Sequence, residues 1–309
     1  MALAKYIFVA VLTRAIGILL YAQEPQAARP APKGGVEGRL TWFDRQGKVV
    51  GTVAEPGLYR TLTISPDGKQ VAFERTDPQT QNRDVWLSDS GSGSSRRFTS
   101  DPGWEAFPTW SRDGSRIVFT SNRSGAFDLY EKPTGGGGEE TLLYKSSEGK
   151  GPTGWSPDGR FLVYYSLGQP THVKLLSFAG PADRQPIPVV DTQFTSITAR
   201  FSPDGRWIAY ASNESGPTEI SVRPFDSASG AIGKPVILTH DGGRTPLWRG
   251  DGKELFYLKE DGTAVGIDID TSAGIKAGTP KSLFKIPAGV LFWDASPGGS
   301  RFLMPVPSR

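Results

Sequence analysis

The sequence predicts an all-β chain folded as a six-bladed β-propeller of four-stranded blades. Three observations carry that prediction: a turn motif repeated at steady spacing, strand-period apolar alternation after each copy, and incomplete pieces at the two chain ends that complete one another. The motif is Ser65-Pro-Asp-Gly68, which returns as Ser111-Arg-Asp-Gly114, Ser156-Pro-Asp-Gly159, Ser202-Pro-Asp-Gly205, Arg249-Gly-Asp-Gly252 and Ser296-Pro-Gly-Gly299. Successive closing glycines stand 46, 45, 46, 47 and 47 residues apart. A fixed period in the forties is the mark of a repeat array.

The flanking residues define the unit. Ile64, Trp110, Trp155, Phe201 and Trp248 lead into their turns, with Ala295 in the sixth. Behind the turns apolar residues recur at every second position: Val71 and Phe73, Ile117 and Phe119, Leu162 and Tyr164, Ile208 and Tyr210, Leu255 and Tyr257, Phe302 and Met304. That alternation predicts strands. Proline presets φ, aspartate bonds nearby backbone and glycine supplies positive φ, so the motif is a tight turn between strands. Two more strands follow in each unit, for example Asp84-Val-Trp-Leu, Phe127-Asp-Leu-Tyr and Glu219-Ile-Ser-Val as third strands. The blades are expected at 58–99, 104–145, 151–190, 195–239 and 244–285, with a composite sixth.

The composite sets the topology. Leu40-Thr-Trp-Phe-Asp-Arg45 and Lys48-Val-Val-Gly-Thr-Val53, joined by Gln46-Gly47, form a hairpin outside any complete repeat, while the last repeat stops two strands short. A ring in which residues 39–53 complete a blade begun by about 289–305 leaves no sheet edge exposed.

Residues 1–38 stand apart. Tyr6 to Leu12 and Ala15 to Ala22 are apolar runs separated by Thr13 and Arg14. One reading is a secretion signal cleaved after Ala22, although Leu20 departs from the small residue such a site favours. A second is an uncleaved membrane anchor, in which Arg14 costs about 2.5–3.5 kcal/mol. A third is a misassigned or truncated start. Residues 23–38, rich in Pro, Ala and Gly, read as a linker, and 39–309 as the propeller. The expected location is therefore periplasmic or secreted, or tethered to a membrane by the N-terminal segment.

Glycine (38) and proline (25) together make about a fifth of the 309 residues, as a turn-built protein requires. The net charge of +3 is small, and Lys5 and Arg14 supply two of those charges, so nucleic acid is not an expected partner. The absence of cysteine excludes disulfides and thiolate metal sites. A monomer without cofactor is expected.

The wording of the repeats resembles a known family. Ser65 to Phe73, Ser111 to Tyr130, Ser156 to Tyr164 and Ser202 to Val222 are similar to the WD-repeat-like propeller units of the TolB type, and the likeness extends over about 39–304. Leu40 to Lys48, Glu74 to Pro78 and Phe201 to Gly216 are also similar to the C-terminal propellers of bacterial receptor-type serine/threonine kinases. The chain departs from both full architectures: it carries neither kinase motifs nor room for the separate α/β domain of TolB. The resemblance implies the propeller, and an extracytoplasmic binding or sensing role.

Catalytic chemistry finds little support in the residues. The two histidines, His172 and His240, lie at a strand start and in a loop, and no Gly-x-Ser-x-Gly elbow occurs. A hydrolase or lyase using scattered loop residues, or a detached sensor of a receptor kinase, is the alternative to a non-catalytic binding platform. Asp67, Asp113, Asp158, Asp204 and Asp251 fall one per blade, too widely spaced to share a calcium ion, and each is expected to cap its own turn. Gly135 to Gly138 precedes no helix and reads as a loop rather than a phosphate cradle. Trp110, Trp155 and Trp248 are expected to pack between blades. The remaining candidate is the channel mouth. Arg60, Glu105, Lys150 and Arg244 stand five or six residues before their turns, beside Tyr59, Trp104 and Trp293. Three cations and one anion around one opening fit either an ordinary solvated surface, on which Glu105 neutralises Arg60 and Lys150, or a site for a small anionic ligand or an acidic peptide, with a protein partner as the other expectation.

Overall fold

The computed structural model describes residues 35–180, 184–190 and 192–308. The leader or anchor expected at 1–22, and most of the linker, lie outside them. The described residues contain strands, turns and no helix.

Local order begins in the repeated turn. Ser65 Oγ donates to Asp67 Oδ1 at 2.6 Å and accepts from the Gln70 amide at 2.9 Å, while the Gly68 amide donates to the Ser65 carbonyl at 2.8 Å. The same bonds recur at Ser111, Ser156 and Ser202. The Ser111 hydroxyl and the Ser115 amide hold the Asp113 carboxyl at about 2. Closing glycines take φ between +66° and +74°, a conformation that favours glycine.

The proline of the motif has a second use. A β-carbon built on Gly114 would lie 3.9 Å from Pro66 Cδ, on Gly205 3.0 Å from Pro157, on Gly252 3.7 Å from Pro203, and on Gly68 3.4 Å from Pro297. Each proline thus seats on the glycine of the next turn, and the last repeat's proline seats on the first repeat's glycine. Where Arg112 replaces proline, Gly159 faces open space.

Four of the five sheets hold one repeat each. Glu105–Trp110, Arg116–Ser121, Asp128–Pro133 and Thr141–Tyr144 form the simplest, paired in sequence order. The fifth has seven strands: Asp294–Ala295, Arg301–Pro307, Val36–Asp44, Val49–Ile64, Gln70–Thr76, Arg83–Asp89 and Ser95–Arg97. Here the expected hairpin pairs with the last strand, Leu40 opposite Pro305 and Trp42 opposite Leu303. Two details differ from expectation. The first described strand begins at Val36, opposite Tyr59, rather than at residue 39. The hairpin's second strand runs on to Ile64, so its first half pairs with the hairpin and its second with Gln70–Thr76, joining the composite and the first repeat in one sheet.

The core lies between sheets. The second strand of each repeat is buried on both faces, which period-two reading alone does not reveal. Ile208 and Tyr210 pack toward the third repeat with Phe161 and Val173; Ala209 and Ala211 pack toward the fifth with Leu255 and Tyr257. Large residues on one face and small ones on the other let neighbouring sheets close to van der Waals contact.

Hydrogen bonds link the innermost strands in series. Trp110 Nε1 donates to Thr63 O (3.3 Å), Thr109 Oγ1 to Pro152 O (3.1 Å), Arg200 Nη1 to Thr153 O, Trp248 Nε1 to Arg200 O (3.3 Å), Trp293 Nε1 to Thr245 O (3.2 Å), and Ile64 N to Asp294 Oδ2 (2.8 Å). Trp110 and Trp248 therefore pack between repeats as expected. Trp155 does so within the cluster joining the second and third.

The irregular fifth turn is explained by its neighbour. The Gly250 amide donates to Pro297 O at 2.8 Å, and a β-carbon there would approach that oxygen to 2.7 Å. Arg249, in place of serine, still holds Asp251 (2.7 Å) and also reaches Glu254 (2.8 Å). Arg45 of the hairpin closes on the other side of Glu254 at 2.6 and 3.0 Å and donates to Gly299 O. Glu254→Ala, which removes the carboxylate that joins two guanidinium groups, is expected to lose about 3 kcal/mol in urea unfolding. Gly250→Pro, although it restores the repeat consensus, is expected to destabilise rather than stabilise, because it removes a donor and inserts atoms against Pro297.

Candidate functional site

Glu105, Lys150, Ser196 and Arg244 each open the innermost strand of their repeat. Arg60 lies inside Val49–Ile64 because the chain arrives there without a break. All five strands shift register shortly afterwards, and Phe107, Thr198 and Thr245 adopt φ between +51° and +53° at the shift. A bulge of this kind re-aims side chains, and its left-handed non-glycine residue carries strain. Phe107 meets Tyr165 edge-on across repeats (5.8 Å), and Thr245 Oγ1 accepts from Trp293 Nε1 (3.0 Å).

The structure places the seven candidates in two groups. Most are engaged in packing or ion pairs. Tyr59 is buried, its ring edge on Phe73 and its hydroxyl on Glu55 O. Arg60 Nε lies 3.4 Å from Glu74, which also takes Thr61 Oγ1 (3.2 Å) and stands 3.9 Å from Arg83; burial pushes the Glu74 carboxyl up. The Arg83 guanidinium in turn stacks 4.0 Å over the half-buried Trp104 ring. Trp293 is buried and stacked on Phe302 at 5.2 Å.

Glu105 and Lys150 have no exposure at all. Glu105 accepts from Ser121 Oγ (2.9 Å) and lies 3.3 Å from Arg123, and burial raises its carboxyl to about 8. Lys150 Nζ donates to Asp128 (2.9 Å) and to Glu148 O (2.6 Å), and burial lowers it. The expected ring of open charges is therefore not what these two residues form. Each is turned toward the acid near the head of the preceding repeat's third strand, Asp84 for Glu105 and Asp128 for Lys150. The fourth repeat's counterpart, Glu219, instead holds Thr239 Oγ1 and the Gly242 amide. The recurring acid in Asp84-Val-Trp, Asp128-Leu-Tyr and Glu219-Ile-Ser was the available signal.

Arg244 behaves differently. Its side chain is half-buried, and among the described residues it makes no ion pair or side-chain hydrogen bond. Burial lowers its pKa, and Glu260 opposes that shift only from a distance. A guanidinium in that state lacks both full hydration and a counter-ion.

Two further charged residues escaped sequence reasoning. Arg200 and Asp294 occupy equivalent positions, two residues before the turn, where other repeats place Thr63, Thr109, Gly154 and Leu247. Burial lowers Arg200 and raises Asp294, and each offsets the other's shift. A charge inside a strand otherwise read as apolar was the signal. On the turn face lie two grooves between adjacent turns. One, of about 590 Å³, is lined by Asp67, Trp110 and Arg112, and the other, of about 380 Å³, by Asp204, Trp248 and Lys253. Among the described residues no group of three His, Asp or Glu side chains is placed to hold a metal ion.

With this geometry in hand, comparison with known proteins is direct. Residues 45–185 match the TolB beta propeller domain. Over those residues, a little under half of the chain, the repeats are those of a TolB-type propeller domain. The chain's fold is similar to the solved structure of a putative TolB from Agrobacterium tumefaciens, with a TM-score of 0.66 at 19% identity over 88% of this chain and 98% of that one. In sequence it is 29% identical over 216 residues to Tricorn protease homolog 1 of Streptomyces coelicolor, covering 64% of this chain and 19% of that protein. It is 28% identical over 203 residues to an uncharacterised peptidase of Bacillus subtilis, covering 52% and 30%. The chain thus spans less than a third of either peptidase relative.

Removing one member of the buried Lys150–Asp128 pair strands the other. Lys150→Ala is expected to lose about 3–5 kcal/mol in chemical denaturation. Lys150→Met combined with Asp128→Leu is expected to recover most of that loss.

Proposed function

We propose that this protein is a non-catalytic, extracytoplasmic binding platform: a closed ring of six blades whose channel mouth takes an acidic ligand, such as a peptide carboxylate or a small organic acid, on Arg244. The single observation carrying the reading is the half-buried Arg244 guanidinium without a counter-ion. A planar fork of donors held in partly desolvated surroundings suits bidentate binding of a carboxylate. The return of the inner-strand bonds from Asp294 to Ile64, and of Pro297 to Gly68, supports closure.

The location outside the cytoplasm is supported by the reading of residues 1–22 as a signal or anchor. A relative named Tol-Pal system protein TolB, from Wolinella succinogenes, is 30% identical over 110 residues. The peptidase relatives favour a second reading, in which a propeller of this kind serves a hydrolase as an accessory. Labelling of the purified chain by a serine-reactive probe would support a catalytic role of its own.

The test is a thermal-shift screen of the full chain against short acidic peptides, dicarboxylates and their amidated counterparts. A carboxylate at 100 times its Kd is expected to add about 2.7 kcal/mol of stability. Amidation and Arg244→Ala should each abolish the shift. An equal shift in Arg244→Ala would remove the site from Arg244, and no shift with any carboxylate would leave a protein partner as the ligand class to pursue.

A further inference from the structure

The interface between the first and second repeats holds an excess of buried acid. Glu105 is fully buried and Asp84 nearly so. Around them, Arg97 binds Asp84 at 2.7 Å, Arg123 reaches Glu140 at 2.6 Å, Glu105 at 3.3 Å and Asp101 at 3.6 Å, and Lys132 reaches Glu140 at 3.3 Å. Four carboxyl groups therefore meet three cations. The remaining neighbours are directed elsewhere: Arg60 and Arg83 both reach Glu74, a cluster with one cation in excess, Lys150 is bound to Asp128, and Asp77 is half-buried.

One oxygen identifies where the surplus is settled. Glu105 Oε1 takes the bonds from Ser121 and Arg123, whereas Oε2 is buried with no donor directed at it. A bare carboxylate oxygen in that position is costly. A protonated one can donate to Asp84, which lies within hydrogen-bond reach. We propose that Asp84 and Glu105 share one proton across this interface, and that its loss to solvent base sets two buried carboxylates against each other and loosens the seam between these two repeats.

The next interface supplies the contrast. There Lys150 occupies the place of Glu105 and Asp128 that of Asp84, and the two form an ion pair of opposite charges at 2.9 Å. The inference does not depend on what the channel mouth binds. Burial, the largest influence on Glu105, drives its carboxyl up to about 8, with Asp84 adding to the effect and Ser121 and Arg123 opposing it. Burial raises Asp84 as well.

The sign follows from linkage. The folded chain keeps a proton that the unfolded chain releases at ordinary glutamate pH, so this contribution is complete in acid and declines as pH rises through about 8. Lys150, lowered by burial, acts in the opposite sense.

The experiment is unfolding of the full chain at a series of pH values from 5.5 to 9. The folding constant of the native protein should fall with rising pH, by up to about tenfold per unit where one proton is lost. Glu105→Gln, which keeps a donor toward Asp84, should remove that fall, and Glu105→Lys, which copies the adjacent interface, should remove it too. A parallel fall in native protein and Glu105→Gln would overturn the proposal. Infrared spectroscopy supplies a readout independent of variant stability: a protonated-carboxyl band at neutral pH that disappears on titration to pH 9. Its absence at pH 6 would equally overturn the proposal.

Discussion

The architecture depends on the serine–aspartate turn and on where it leaves the proline between them. Serine bonds the aspartate ahead of it and the amide five residues on, so the register of each innermost hairpin is fixed locally. Once fixed, the turn presents a rigid proline to the glycine of the next repeat. A side chain at that glycine would carry the left-handed backbone cost, and at Gly205 it would also crowd Pro157. One four-residue motif thereby specifies a fold within a repeat and a distance between repeats. Apolar residues on both faces of the second strands then fill the gap so defined.

The two turns that lack proline show what the motif responds to. Arg112 leaves Gly159 uncovered and nothing else takes the proline's place, so the second-to-third step relies on packing of Trp155, Tyr164 and Leu129. Gly250 is a different case: the sixth turn comes so close that a proline could neither donate to Pro297 nor fit. Arg249, Glu254 and Arg45 replace the lost apolar contact with a charged clamp between the fifth repeat and the N-terminal hairpin. The sequence is least regular where two segments far apart in the chain must be held together, and the irregular residues are the ones that hold them.

Period and turn chemistry made the repeat, the strand order and the composite sheet legible before any coordinates, because each is set by residues close together in sequence. The continuity of Val49–Ile64 was not, since nothing in Glu55-Pro-Gly57 distinguishes a loop from a strand passing between sheets. The destinations of Glu105 and Lys150 were missed for a related reason. Spacing identified them as the first residues of inner strands, but Lys150's partner Asp128 comes from the third strand of another repeat and Glu105's partners Ser121 and Arg123 lie beyond the turn. Whether a charge is free or paired is decided by that tertiary neighbour. Arg244 remained available because its neighbouring third strand offers Glu219 to a loop amide and a threonine instead.

This difference bears on how such a scaffold acquires function. Positions that face the next repeat, such as the turn serine, proline and glycine, repeat nearly unchanged because each answers the same geometric demand. Positions at the strand heads and two residues before the turn answer no such demand. Two residues before the turn the chain places threonine, threonine, glycine, arginine, leucine and aspartate in succession, and at the strand heads arginine, glutamate, lysine, serine and arginine. Variation there costs little in repeat packing, so charge can be set repeat by repeat. The Arg200–Asp294 coupling, the Lys150–Asp128 pair, the Asp84–Glu105 carboxyls and the lone Arg244 are four outcomes of that freedom on one framework. Their differing environments make the propeller electrostatically asymmetric while its backbone stays nearly regular, so that one repeat differs from another in charge although not in fold.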